Sequence, residues 1–338
     1  MARIFMTGFE DGSVNAFSAS NNSSASTSQY RTGAYSMLQN NSGANAAIAF
    51  SSSKSEIYMR FGLYGALGVN ATFVSVFDSA GAVQLRFRVT SINGVTLFRS
   101  NWSNNISLAA SSVSLVANAW NCIEIYVKID NSVGRAIFKV NGGIGIDFTG
   151  DTQDTANANM GGVWFGNPLN YTNNYEALTA YYDDIAINDT SGAVNNSWIG
   201  QGGIRLAFVD GNSAAHVPDM TPSVGSNWSC VDERPASDTD YVSDATVDAY
   251  DLYTLDTSSM PAAGTVSAVR WIARAKVDVD GANITPVIRS GVTTEQQADI
   301  PLSTSYVVKS LIMEVDPIDD AAWTVAKVNA LEIGMAVG

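Results

Sequence analysis

Residues that could do chemistry are few in this 338-residue chain, and their spacing limits what they can do. His216 is the only histidine; it sits in GNSAAHVPDM with no second imidazole to share a metal and no serine, cysteine or aspartate pairing that can be argued for it. A solvated loop histidine is the expectation there. Glycoside hydrolysis needs two carboxyl groups about 5–10 Å apart across a sugar cleft. Glu124 and Asp130 share one face of a strand but lie about 20 Å apart at ~3.3 Å per residue. No two or three acids alternate along a strand within the first 198 residues. These residues therefore predict no catalytic activity. Asp183 and Asp184, with Asp151 and Asp154 as further donors, could give oxygens to a calcium ion. They could equally accept backbone hydrogen bonds at the start of a strand. No other cofactor is expected.

Two further groups suit contact rather than catalysis. Residues 232–256 hold Asp232, Glu233, Asp238, Asp240, Asp244, Asp248, Asp251 and Asp256 against the single base Arg234. That spacing is not that of a 12-residue calcium loop, so it reads as a solvated acidic face or, through Asp238, Asp240 and Asp244, as contact with a basic neighbouring subunit. Trp164, Phe165, Tyr171, Tyr175, Tyr181 and Tyr182 form an aromatic-rich segment. Trp164 and Phe165 suit a core, whereas Tyr171 and Tyr175 suit exposed contact with a sugar or another protein, or packing within the loop.

Composition narrows the class. Residues 1–199 carry 10 basic and 13 acidic side chains, and residues 200–338 carry 8 and 19, within a net charge of −14. Such an acidic surface repels phosphate backbones, so no nucleic-acid partner is expected. Two cysteines, Cys122 and Cys230, make neither a disulfide framework nor a metal site and are expected as buried free thiols. Glu10 and Asp11 interrupt the N-terminus before any apolar core of secretory length, and no run approaches the roughly 20 apolar residues of a membrane helix. Synthesis in the cytosol as a soluble protein, with no membrane partner, is the expectation.

The elements that must position these residues read as strands. In Glu56–Tyr64 the inward set is Ile57, Met59, Phe61 and Leu63; in Gln84–Thr90 it is Leu85, Phe87 and Val89, with Gln84, Arg86 and Arg88 outward. Asn121–Asp130 sets Ile123, Ile125, Val127 and Ile129 against an outward set of Glu124, Tyr126, Lys128 and Asp130. Period-2 alternation puts the apolar residues on one face of a strand, where a helix would scatter them. Arg3–Phe9, Arg135–Val140, Val163–Phe165 and Ile185–Ile187 complete the first set. Ser18–Ser28 holds only Ser, Ala, Asn and Thr and predicts a loop or mobile edge. Tyr181–Trp198 reads as a closing strand and then a hinge rich in turn formers. Beyond it, Gly202–Phe208, Ser226–Val231, Ala268–Val279, Ile284–Ser290 and Ser305–Val315 predict strands, with a hairpin turn at Asp280-Gly281. Asp319–Leu331 predicts a helix capped by Asp319 or Asp320, and Glu332–Gly338 a last strand.

Several of these pieces carry a family resemblance. GFEDGS near the N-terminus, RTGAYSM at Arg31–Met37, the W-x-x-x-E-I-x-V-x-I-D run of Trp120–Asp130 with its hairpin to Gly143, and the closing YYDDIAI follow in order over residues 2–190. Together they resemble the concanavalin A-like (laminin-G-like) jelly rolls of many secreted and viral proteins. Some of these relatives hold calcium. NDTSGAVNNSW across the hinge, VDERPASDTDYV at Val231–Val242, IRSG at Ile288–Gly291, and STSYVV followed by MEVDPIDDAAWTVAKVNALEIG resemble the module that follows jelly rolls in structural proteins of tailed bacteriophages.

The expectation is thus an all-β chain. A jelly-roll sandwich spans residues 1–198, and a second β-sandwich with one short helix near the C-terminus spans 199–338. The resemblance implies a non-enzymatic virion structural protein on the particle surface: a homo-oligomeric capsid decoration protein that docks on the major capsid protein. The alternative is a tail or baseplate adhesin whose jelly roll binds host carbohydrate.

Overall fold

The computed structural model describes residues 2–41, 43–100, 105–166, 178–279 and 281–338. The chain divides into two compact units, Met1–Ile204 and Arg205–Gly338. Both are built from antiparallel strands, and the described residues are all-β apart from a short 3-10 turn and one short helix.

The first unit is a sandwich of two sheets. In space the first sheet runs Gly143–Gly150, Gly134–Val140, Asn121–Lys128, Glu56–Gly65, Leu178–Asp189, Ser36–Asn41 and Ser23–Ser26, with Arg3–Thr7 paired to the far half of Leu178–Asp189. The second runs Asn105–Ala110, Gly94–Ser100, Val83–Ser91, Thr72–Phe77, Met160–Gly166, Asn45–Lys54 and Ala19–Asn21. The alternating sets do what their period dictates. Ile57, Met59, Phe61 and Leu63, then Ile123, Ile125 and Val127, face Leu85, Phe87 and Val89 across a single core. Phe61, Phe165 and Tyr182 meet edge-on within it. The Ser18–Ser28 stretch, too small to fill a core, supplies the outermost strand of each sheet rather than a plain loop.

The outer face of the first sheet departs from expectation. Glu124 is only 5% exposed, and Asp183, Asp184 and Asn188 are fully buried although they point away from the core. Residues 199–204, assigned from sequence to the second domain, lie over this face as part of the first unit.

In the second unit one sheet orders Phe208–Asn212, Tyr250–Asp256, Glu332–Val337, Asn283–Ser290 and Thr293–Gln296. A ribbon of Val269–Ala275 and Val307–Met313 forms the opposite layer. Trp271 and Met313 from the ribbon share a core with Ile284 and Ile288 from the sheet, joined by Trp323 and Leu331. That packing corrects the hairpin expected at Asp280-Gly281. Val269–Ala275 pairs with Val307–Met313, and Asn283–Ser290 belongs to the facing sheet; Asp280 itself lies outside the described residues. No strand forms at Gly202–Ala207; the first strand of the unit begins at Phe208.

Ser226–Val231 is a 3-10 turn over Asn227–Cys230, not a strand. The Ser229 hydroxyl donates to the Ser226 carbonyl at 2.8 Å, and the Asn227 amide donates to Asp251 at 2.7 Å. Such local side-chain bonds compete with a sheet ladder. The helix is shorter than expected, Val325–Asn329, and its cap is Thr324, whose hydroxyl oxygen accepts from the Lys327 amide at 3.1 Å. Asp319 instead pairs with the Lys327 ammonium at 2.7 Å. Both cysteines are buried free thiols.

Candidate functional site

The outer face of the first sheet gathers the charged and aromatic residues of the first unit, and a break in the strand Leu178–Asp189 organises it. Tyr182 and Ile185 both face the core, three residues apart, which strict alternation forbids. A bulge between Asp183 and Ala186, with Asp184 at φ 53°, absorbs the extra residue. Aspartate is among the few residues that take this left-handed conformation readily. The bulge turns two consecutive acids outward.

Their oxygens are met by protein donors. Asp183 Oδ2 accepts from the backbone N–H of Arg31 at 2.7 Å and of Thr32 at 3.1 Å, and its Oδ1 accepts from the Asp184 N–H at 2.6 Å. Asp184 Oδ1 accepts from the Thr32 hydroxyl at 2.7 Å and the Ile204 N–H at 2.5 Å, while Oδ2 pairs with Arg31 Nη1 at 2.6 Å. Burial first, and then the Asp184 charge, push the Asp183 carboxyl up to about 8 against the backbone donors that pull it down. Arg60, buried on the neighbouring strand, has its guanidinium lowered by burial and held charged by Asp184. Burial likewise pushes the Cys122 thiol up, against Arg31 and Arg60.

A strap of residues 198–204 closes the lower half of this face. Trp198 lies edge-on to Tyr58 at 5.3 Å, with the Lys139 ammonium 3.3 Å from its ring centre. The Gly200 N–H donates to Glu124 Oε1 at 2.9 Å, and the Gly202 carbonyl accepts from both Arg31 and Arg60. Each turn of the strap thus lands on a charged group already fixed on a strand.

Above the strap lies a partly exposed row: Tyr64 and Tyr181 on adjacent strands, with Trp120 one residue before Asn121–Lys128. Tyr64 is tilted against Trp120 at 5.5 Å and meets Tyr181 edge-on at 5.9 Å. Beneath the row Gly62 leaves room for its neighbours: a Cβ there would stand 2.8 Å from Arg31 Cδ and 3.2 Å from the Trp120 ring. Arg31 therefore lies beside the indole. Partly exposed aromatic rings next to a fixed guanidinium can stack on an apolar ring face and donate hydrogen bonds to polar groups around it. In the sequence Tyr181 stood out in the aromatic-rich segment and Trp120 as the start of the Trp120–Asp130 run, but neither as a surface site, and Tyr64 only as the end of a strand. Tyr64 and Trp120 are far away along the chain, and only strand pairing unites them.

The other sequence candidates are placed elsewhere. Tyr171 and Tyr175 lie outside the described residues. Phe165 is core, whereas Trp164 is half-buried on the outside of the second sheet, 4.7 Å from Phe77. Asp151 pairs with Arg99, and Asp154 lies beside Arg99 and Arg86, in contacts that include neither Asp183 nor Asp184. Among the described residues no group of three or more His, Cys, Asp or Glu side chains is placed to hold a metal ion. Asp238 forms a two-pronged pair with Arg274 at 2.6 and 2.7 Å, Asp240 accepts from Ser223 at 3.1 Å, and Asp244 caps its own turn through the Thr246 N–H. His216 is not a freely solvated loop residue: it stacks on Tyr250 at 3.7 Å, with Nε2 2.9 Å from the Tyr250 carbonyl.

Neither a protein-family model nor a curated protein sequence matches the chain. Among solved structures it is similar to domain 4 of a GH43 extracellular arabinanase from Geobacillus stearothermophilus, solved with arabinotriose, at 10% identity over 56% of this chain and 92% of that one, TM-score 0.41. An alginate lyase from Chlorella virus is similar at 11% identity, over 55% and 99%, TM-score 0.40. A carbohydrate esterase from the Shiga toxin-encoding bacteriophage phi24B is similar at 14% identity, over 51% and 90%, TM-score 0.35. The expectation of a non-enzyme is corrected here, because the similar structures are mostly carbohydrate-active enzymes, further alginate lyases and a sialidase among them.

Proposed function

We propose that this chain is a surface protein of a tailed-phage particle that binds carbohydrate through its first unit, as an adhesin of the tail or baseplate. The observation that carries this reading is the partly exposed row Trp120–Tyr64–Tyr181 beside the strap on the outer face. Aromatic rings held rigidly by a sheet bind at small entropic cost. The capsid-decoration reading has no comparable support: of the three acids expected to dock, Asp238 is already paired with Arg274 and Asp240 is bonded to Ser223.

The test is a saccharide array probed with the purified chain, followed by calorimetric titration of the best binder and chromatography for cleaved products. Trp120→Ala should weaken binding roughly thirtyfold, the cost of truncating an anchor residue of about 2 kcal/mol. A chain that binds no saccharide, yet occurs in purified particles at a copy number comparable with the major capsid protein, would replace this reading by decoration.

A further inference from the structure

The open row ends against an arginine that is only partly used. Arg31 spends Nη1 twice, on Asp184 Oδ2 at 2.6 Å and on the Gly202 carbonyl at 2.7 Å. Among the described residues its Nε and Nη2 have no partner, and neither is a buried atom left unpaired, so that edge of the fork reaches solvent; the side chain is 19% exposed. Its stem is pinned over Gly62 beside Trp120, since both approach the point where a Gly62 Cβ would stand. The stem that carries the free edge is therefore held next to the indole.

A planar guanidinium edge offers two parallel N–H donors, the geometry that a carboxylate accepts in a two-pronged pair. An ammonium cannot reproduce it. Because Asp184 and Gly202 already hold the group still, little side-chain freedom remains to be lost on binding. The surrounding charge does not oppose an anion. Arg31 and Arg60 face Asp184, Glu124 and an Asp183 whose proton is held by burial, which leaves the cluster close to neutral. Resting on the carbohydrate reading, we infer that the row takes an acidic saccharide, one with a carboxylate on its sugar ring, whose ring stacks on Trp120 and Tyr64 while the carboxylate pairs with Arg31.

The deciding probes are ring-carboxylate saccharides of several stereochemistries (glucuronate, galacturonate, mannuronate and sialate oligomers), each beside its carboxyl-reduced, neutral counterpart. Titration of the full chain with the tightest pair should show the acid bound at least tenfold more tightly than its reduced form, with the difference shrinking as salt rises. Arg31→Lys should lose most of that preference, its affinity for the acid falling towards its affinity for the reduced form. Equal binding of acid and reduced forms, or a preference that survives Arg31→Lys, overturns the role of Arg31 and leaves the carbohydrate reading standing. Failure to bind any saccharide, acidic or neutral, overturns both. If Arg31→Lys does not fold, the paired probes on the parent chain still decide the matter.

Discussion

Arg60→Met is the sharpest test of how the outer face is held together. Arg60 is 3% exposed and sits level with Glu124 on one neighbouring strand and with the Asp184 bulge on the other. Methionine keeps the approximate length of the side chain and removes the charge and every donor. Asp184 and Glu124 would lose the attraction of that charge, and the Gly202 carbonyl would keep one donor of two. A lost hydrogen bond from a charged group costs about 1.5–3 kcal/mol. The first unit spans Met1–Ile204, and at about 2.1 cal/mol/K per residue its unfolding entropy is roughly 0.4 kcal/mol/K. The expected drop in melting temperature is therefore about 3–7 °C. The effect should also depend on pH. The folded state holds the Asp183 proton more tightly than the unfolded chain does, so this contribution to stability is full below about pH 4. It is lost progressively as pH rises towards 8, where the carboxyl titrates in the folded protein. Without Arg60 the Asp183 proton is held still more tightly, so the gap between variant and parent should widen as pH rises through about 8, where the parent's carboxyl titrates. Differential scanning calorimetry on either side of that pH measures the gap, and hydrogen exchange at the amides of Asn121–Lys128 assigns it to the first unit. A drop below about 2 °C, or a gap that narrows as pH rises, would refute the idea that this cluster holds the face together.

Two further expectations follow from the same geometry. Ile125→Asp should leave the first unit unfolded, because Ile125 is fully buried and an unpaired carboxylate there costs several kcal/mol, whereas Lys128→Ala on the same strand should change stability by about 0.5 kcal/mol or less. A soluble variant at position 125 that unfolds cooperatively in a denaturant titration would show the register to be reversed. Limited proteolysis with mass-spectrometric mapping should cut first within residues 190–197, nearly all exposed, and spare 198–204, which is bonded to the sheet. A first cut between 199 and 203 would show that the strap is not docked in solution.

Sequence periodicity sufficed wherever burial is one-sided. Ile123, Ile125 and Val127 declared their strand and its inward face, and the core formed where the alternation placed it. The same rule failed on the opposite side of that strand. Glu124 reads as a solvent-facing acid, yet the strap that covers it comes from residues about 75 positions away, and no local pattern encodes that approach. Asp183 and Asp184 were legible as a pair worth a question, and the broken alternation from Tyr182 to Ile185 is the local sign of the bulge that turns both outward. The donors that meet them were not legible, because Arg31, Thr32 and Ile204 arrive from both ends of the unit. The aromatic row shows the limit most clearly. Trp120, Tyr64 and Tyr181 lie in three separate segments, and they become one surface only when Asn121–Lys128 and Leu178–Asp189 pair on either side of Glu56–Gly65. What a sheet offers on its outer face is set by strand order, a long-range property, while what it buries is set by residue type at every second position. The proposed ligand would meet the outer face, which is why the core of this protein could be read from its sequence more fully than its candidate binding surface.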